Sequence, residues 1–245
     1  MKPILFNTDM VRAILEGRKT VTRRVVKPRY RDGEIGFNVI TNAHTGKYVR
    51  IEYFDEWEDE TRYMPEPYRP GNILYVSETW KCSPDSQLWA DNEYRVIFKD
   101  GEMVRFYFEN QERLEKWRKY IYKPLENWQS PYFMPREAAR IFLRVTDMWV
   151  EQLQTPFFNQ SAAIFALQEE GVDVGAHCQG CVDFYGCPCC IDGESECGEL
   201  DYVRGGFSDL WDSTIKPADR ALYGWAADPW VWVIEFERCE RPDEG

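Results

Sequence analysis

Hydrophobic residues recur along the chain at two spacings, one typical of amphipathic helices and the other typical of strands. The helical spacing predicts helices at 8–16, 110–122, 159–171 and 207–215. Runs rich in β-branched and aromatic residues predict strands at 20–26, 35–40, 48–53, 72–80, 94–98, 104–108, 140–150 and 228–237. Turn signals join the second strand to the third, and the fifth to the sixth, so two hairpins are predicted.

The first predicted helix has clear signals at both ends. Thr8 or Asp9 can cap its first amide groups, and Gly17 can adopt the left-handed conformation that ends a helix. The strand that follows alternates its side chains between two faces. One face holds Thr20, Thr22 and Arg24, and the other holds Lys19, Val21 and Arg23.

The helix predicted at 159–171 ends in two acidic residues and a glycine. Gly171 is the natural stop, and Glu169 and Glu170 precede it. Acidic groups at a helix C-terminus oppose the helix dipole. At least one of the two is therefore a candidate functional carboxylate, and an exposed, tolerated charge is the alternative.

Charge changes this picture at one point of the chain. The formal net charge is -12 and the isoelectric point is about 4.8, which argues against broad coating of duplex nucleic acid. Residues 17–24 nevertheless read GRKTVTRR, with four cations in eight residues. This segment is either a solvated basic corner or a small site for an anionic or carbonyl-bearing ligand.

Composition is that of a globular protein, with 44% hydrophobic, 29% charged and 16% aromatic residues among 245. Such a length suits one elaborated domain or two small ones. No segment has the pattern of a signal peptide or a membrane span, so we expect a cytoplasmic, reducing location.

Six of the eight cysteines lie between positions 178 and 197. Cys178 and Cys181 form a C-x-x-C pair, which places two thiolates on one tetrahedral ion. The second pair comes from Cys187, Cys189, Cys190 and Cys197, and the favoured pairs are Cys187 with Cys190 and Cys190 with Cys197; His177 is a further candidate. Because thiolates fill every position and no general base is evident, we expect structural zinc; redox-active thiols and an unliganded loop are the alternatives.

Residues 17–24 resemble the G-x-K-x-x-T-x-R motif of ASCH domains. Residues 71–80, GNILYVSETW, are similar to the family's G-D-x-L-x-V-x-E-x-W strand. Segments 140–150, 166–172 and 232–236 resemble later elements of the family, in the same order. The set looks most like ASCH proteins encoded by bacteriophages and prophages.

The resemblance implies an α+β fold in which a PUA-like β-barrel carries short flanking helices. It also implies that residues 1–245 form one elaborated domain. Its core would cover about 1–26, 67–80, 136–174 and 205–238, with insertions at 27–66 and 81–130 and the zinc loop at 175–200.

Two kinds of function follow from the resemblance. One is binding of single-stranded RNA or a modified nucleoside; the other is amidohydrolysis, as in a small ASCH protein that removes acetyl from 4-acetylcytidine. The motifs carry the catalytic roles to Lys19, Thr22 and Glu170, with Glu169 as the alternative to Glu170. A phage accessory protein acting through protein contacts, with the zinc loop as its interaction surface, is a third interpretation.

The residues themselves suit such chemistry. Lys19 can act as a base near neutral pH only if burial or nearby cations lower its pKa from about 10.4. Thr22 can supply a hydroxyl or position water, but alternation puts it opposite Lys19, so the pairing requires a bend. The residues expected to bind the ligand are Arg18, Arg23, Arg24, Glu78 and Trp80.

Overall fold

The computed structural model describes residues 1–32, 34–42, 48–55, 62–84, 93–107, 111–121, 127–157, 160–172 and 198–242. Its strands are β1 (Lys2–Leu5), β2 (Val21–Val25), β3 (Glu34–Thr41), β4 (Tyr48–Asp55), β5 (Arg62–Tyr63), β6 (Ile73–Ser77), β7 (Trp80–Pro84), β8 (Glu93–Phe98), β9 (Met103–Tyr107), β10 (Phe142–Gln152) and β11 (Trp230–Cys239). Its helices are α1 (Thr8–Leu15), α2 (Gln111–Ile121), α3 (Gln160–Glu169), α4 (Gly198–Thr214) and α5 (Arg220–Tyr223). The predicted α+β class is confirmed.

Contacts divide the chain into two compact units. Unit 1 comprises Met1–Glu16, Gly71–Arg144 and Glu237–Gly245. Unit 2 comprises Gly17–Pro70 and Val145–Phe236.

In unit 1, β1 pairs in parallel with β6, and β6 pairs antiparallel with the first residues of β10. A separate antiparallel sheet has the order β7-β8-β9. The core of unit 1 is aromatic, and the side chains of Trp80 and Phe98 are fully buried in it. Trp117 of α2 packs edge to face against Trp80, with ring centroids 6.0 Å apart. Burying such rings supplies much of the apolar area that a small core needs.

In unit 2, β11 pairs antiparallel with β2 along five residues, from Val231 opposite Val25 to Glu235 opposite Val21. The β3–β4 hairpin joins β10 where Tyr48 lies opposite Val150. A second core forms where α3 and α4 pack on these strands. Its fully buried members include Leu153, Ala163, Leu167, Val231 and Val233.

Both predicted hairpins are confirmed, and so are the helices of the first three predicted segments. Three details were wrong. The cap of α1 is Asn7, whose Oδ1 accepts from the Met10 amide at 2.8 Å. The strand predicted at 72–80 is two strands, β6 and β7, and the helix predicted from residue 207 begins at Gly198.

The strand pairings among the described residues do not close into a barrel, which corrects the predicted closure. In that part of the chain, β1 pairs only with β6 and β2 only with β11. Pro3 lies in β1, and a residue without an N–H group is typical of a sheet edge. None of the described helices is long and apolar enough to cross a membrane.

Unit 1 contains a buried ion cluster. Arg140 donates from Nε and Nη2 to the two carboxylate oxygens of Glu78, at 2.8 and 2.7 Å. Its Nη2 also reaches Asp100, and its guanidinium lies 4.1 Å from the centroid of the Phe98 ring. Burial raises the pKa of Glu78 above its usual value, although Arg140 opposes this shift.

Replacing Arg140 with alanine should lower the free energy of unfolding by about 3–5 kcal/mol, because Glu78 and Asp100 would lose their shared buried cation. Arg144→Ala is the control, since Arg144 and its partner Glu237 have side chains 53% and 55% exposed. We expect it to cost less than about 1 kcal/mol. Chemical denaturation at neutral pH measures both changes, and similar losses in the two variants would contradict a structural role for the cluster.

Candidate functional site

Lys19 is positioned by the start of β2. After Gly17, which has a φ of +77°, the chain runs antiparallel to the end of α3, and Lys19 forms an isolated β-bridge with Glu170. The Thr20 amide donates to the Glu169 carbonyl at 2.9 Å, and the Phe236 amide donates to the Thr20 carbonyl at 2.8 Å. Backbone hydrogen bonds on both sides therefore fix the residue beside Lys19.

Glu170 is positioned by the end of α3. Its amide still donates to the Ala166 carbonyl, at 3.1 Å, and Gly171 then adopts a φ of +80°. The Val172 amide donates back to the Leu167 carbonyl at 2.9 Å, which closes the helix in the manner of a glycine cap. The predicted stop at Gly171 is confirmed.

The Lys19 ammonium has three oxygen acceptors within hydrogen-bond distance. Nζ lies 2.6 Å from Glu170 Oε2, 2.9 Å from the Glu170 carbonyl oxygen and 2.7 Å from the Val21 carbonyl oxygen. Only a protonated amine can donate to all three. The described geometry is therefore that of a lysine ammonium bound to a glutamate carboxylate.

Arg23 links this pair to a second carboxylate. Its Nη1 donates to Glu170 Oε1 at 3.0 Å, and its Nε donates to Glu151 Oε1 at 3.0 Å. The Trp149 indole donates to Glu151 Oε2 at 2.9 Å. Two cations and two carboxylates thus form one continuous network, which balances the charge locally. We call Lys19, Arg23, Glu151 and Glu170 the lysine–glutamate cluster.

Burial governs the electrostatics of the cluster. The side chains of Lys19 and Glu170 are 0% and 6% exposed. Burial holds the pKa of Lys19 below its usual value, with Glu170 opposing the shift. Burial alone would raise the pKa of Glu170, but Lys19 and Arg23 outweigh it and hold that pKa below the usual glutamate value.

The other motif residues lie around the cluster. Thr22 is buried and pairs in register with Ile234, and the described residues contain no hydrogen bond between its side chain and Lys19. Arg24 is half-buried, and its Nη1 lies 3.5 Å from the Arg23 carbonyl oxygen. Arg18 donates to the Gly171 carbonyl at 2.7 Å. Glu169 is exposed, so the geometry favours Glu170 over this alternative.

Two predicted ligand-binding residues belong to unit 1. Glu78 is held by Arg140, as described above, and its amide donates to Met134 Sδ at 3.3 Å. Trp80 is fully buried between Trp117 and Tyr120 and exchanges backbone hydrogen bonds with Gln129. The Trp80 ring therefore presents no open face on which a base could stack.

The predicted zinc ligands, Cys178, Cys181, Cys187, Cys190 and Cys197, lie outside the described residues. Within the described part of the chain, no group of three or more His, Cys, Asp or Glu side chains has the arrangement of a metal site.

Sequence reasoning missed Glu151, which completes the cluster, and Trp149, which holds it. Their spacing was the available signal. Residues two apart on a strand share a face, so Trp149 and Glu151 project together from β10. Nothing in the sequence indicated that this face meets Arg23.

Comparisons with protein-family models, with curated proteins and with solved structures found no match to the chain.

Glu170 should stabilise the fold most at neutral pH. Because its pKa is lowered in the folded state, its contribution is present above the unfolded value of about 4.3 and is lost as pH falls through the folded value. We therefore expect Glu170→Gln to lower the free energy of unfolding by about 3–5 kcal/mol at pH 7. The difference in unfolding free energy between wild type and variant should shrink between pH 5 and pH 3.

Glu169→Gln is the matched control. Burial raises the pKa of the Glu169 carboxyl. Removing the Glu169 charge therefore cannot reproduce a stability difference that shrinks as the pH falls. Urea denaturation at stepped pH measures both variants. A gap between wild type and Glu170→Gln that stays constant down to pH 3 would contradict the assignment.

Proposed function

We propose that this chain is an ASCH-type protein that binds a modified pyrimidine nucleoside, free or within RNA, at the lysine–glutamate cluster. One observation carries the proposal. Lys19 and Glu170 come from two separate motif-like segments 151 residues apart, and their charged groups meet at 2.6 Å. The proposal rests on these motifs and their convergence rather than on a closed barrel.

The free-energy cost of burying charges favours a functional role for the cluster over a purely structural role. Burying two ions carries a desolvation cost that a salt bridge often fails to repay, and packed hydrophobic residues can stabilise a core equally well. Charged side chains with shifted pKa values, held by specific partners, are typical of functional sites. Lys19, Arg23 and Glu170 have these properties.

The cluster suits a base that carries an exocyclic amino or amide nitrogen. A carboxylate can accept about four hydrogen bonds, and one side-chain donor reaches each oxygen of Glu170. Carboxylates recognise the N4 donor of cytosine. The Glu170 side chain is 6% exposed and that of Glu151 is 14% exposed, so a ligand would meet only a small part of these two side chains.

Amide hydrolysis is the second candidate, and the lowered pKa of Lys19 favours it. In this reaction a water oxygen bonds to the acyl carbon, the carbon–nitrogen bond breaks, and a proton passes to the leaving amine. The Lys19 ammonium would first give a proton to Glu170 Oε2, 2.6 Å away, and the resulting amine would take the proton from water once the ligand has displaced one of its acceptors. Thr22 would act only after a shift of its side chain toward Lys19.

The test uses 4-acetylcytidine and cytidine, with turnover followed by chromatography and binding by calorimetry. We expect binding, with or without turnover, that Lys19→Ala reduces at least tenfold. Lys216→Ala removes an exposed lysine of the same unit and should change neither quantity. Thr22→Ala separates the two candidates, since it should abolish turnover only if the hydroxyl takes part.

The same data can contradict the proposal. Folding of each variant is checked by thermal unfolding, and Lys19→Arg, which keeps the charge, replaces Lys19→Ala if the latter unfolds. Absence of both binding and turnover in the wild type would rule out this function. Equal activity in wild type and in a folded Lys19 variant would remove the cluster from it.

We further propose that the cysteine segment binds structural zinc in a reducing, cytoplasmic setting. The donor set supports this, because six thiols at C-x-x-C and nearby spacings exceed the four that a tetrahedral ion needs. The ion would hold a loop that has few apolar residues.

Purified protein should contain about one zinc per chain by elemental analysis, as a closed tetrahedral site requires. Cys178→Ser together with Cys181→Ser should remove it, whereas Cys82→Ser, at a cysteine buried in unit 1, should leave the metal in place. Zinc-free wild-type protein with a protease-resistant cysteine segment would contradict the proposal.

A further inference from the structure

Unit 1 displays an aromatic segment that neither candidate function uses. Between two buried anchors, Gln129 and Met134, the chain exposes the rings of Tyr132 and Phe133, which are 76% and 61% accessible. The two rings pack edge to face with centroids 5.3 Å apart. Large exposed aromatic side chains at adjacent positions are unusual on a monomer surface and typical of interaction sites.

The anchors hold this segment in place. The Gln129 amide donates to the Trp80 carbonyl at 2.7 Å, and the Met134 sulfur accepts from the Glu78 amide at 3.3 Å. Residues Pro131–Phe133 form one turn of 3₁₀ helix, and the Ser130 hydroxyl caps it by accepting from the Tyr132 amide at 3.3 Å. The rings are therefore presented on a fixed backbone, which lowers the entropy cost of binding.

Two lysines lie beside Trp128, which is four residues before Tyr132 in the chain. The ammonium groups of Lys81 and Lys99 lie 4.7 and 4.6 Å from the centroid of the half-buried Trp128 ring. Among the described residues, neither ammonium has a carboxylate partner. Two cations held beside one indole favour an anionic ligand.

Charge is also distributed unevenly along the chain. Unit 1 contains 16 Lys and Arg against 17 Asp and Glu, whereas unit 2 contains 14 against 25. Nearly all of the net charge of -12 therefore belongs to unit 2. Of the two, unit 1 is the one whose own charge does not repel a polyanion.

We propose that Lys81, Lys99, Trp128, Tyr132 and Phe133 form a binding surface for single-stranded nucleic acid, separate from the lysine–glutamate cluster. Bases stack on exposed aromatic rings without sequence preference, and lysines neutralise the phosphates between them. The carboxylates of an acidic peptide would satisfy the lysines but offer no aromatic face to stack on the rings. A single strand supplies both chemistries along one flexible chain.

Fluorescence anisotropy with labelled oligouridine and oligothymidine, each about ten nucleotides long, tests this surface in the full-length protein. We expect binding at low salt, weakened at least about fivefold by Tyr132→Ala or Phe133→Ala through lost stacking. A plot of the logarithm of the association constant against the logarithm of salt concentration has a negative slope. Lys81→Ala and Lys99→Ala should each make that slope shallower by about 0.7. Tyr63→Ala and Lys116→Ala, at an exposed tyrosine of unit 2 and a lysine paired with Glu112, are the controls.

The outcomes separate this proposal from the proposed function. If Lys19→Ala still binds the oligonucleotides and the Tyr132 and Phe133 variants do not, the result supports the proposed binding surface. Failure of the wild type to bind either oligomer at 50 mM salt overturns it. Binding that depends on Lys19 and not on the aromatic residues also overturns it, and assigns nucleic-acid binding to the cluster instead.

Discussion

Lys19 and Glu170 remain charged inside unit 2 because each lies 2.6 Å from the other. An isolated buried ion would lose its proton or gain one rather than accept the cost of desolvation. The contact also joins the segment before β2 to Glu170, the residue that follows α3, and the Thr20 amide donates to the carbonyl of Glu169, the last residue of α3, at 2.9 Å. One ion pair therefore fixes a strand, a helix end and the electrostatics of the candidate site together.

Arg23 and Glu151 make that arrangement sustainable. Without Arg23, one oxygen of Glu170 would lack its cation, and without Glu151 the guanidinium would be a second uncompensated charge. The Trp149 indole completes the chain of donors and acceptors. A network in which every member has a partner keeps its geometry.

Much of this site could be predicted from local sequence. The glycines at 17 and 171 mark the turns that expose Lys19 and Glu170 to each other, and alternation places Arg23 on the side of Lys19. The contribution of Glu151 could not be predicted, because it depends on the meeting of two strands distant in the chain. The burial of Trp80 could not be predicted for a related reason, since it depends on a core that α2 completes.

Some element boundaries of the fold also depend on packing between distant residues. Gly205 and Gly206 lie inside α4, although two glycines normally weaken a helix, so the pattern predicted a start at residue 207. Packing of Phe207 and Trp211 in the core of unit 2 stabilises the helix despite them. In unit 1, Glu78 and Thr79 interrupt a run that reads as one strand, because the strands on either side join different sheets.

The most direct test of the central claim is the coupling free energy between Lys19 and Glu170. A double-mutant cycle with Lys19→Met, Glu170→Gln and the double variant, read by urea denaturation at pH 7, isolates the pairwise interaction from other effects of each change. We expect a favourable coupling of about 1–3 kcal/mol, the range found for residues in contact. Effects that add within about 0.5 kcal/mol would show that the two charges do not interact, and would contradict it.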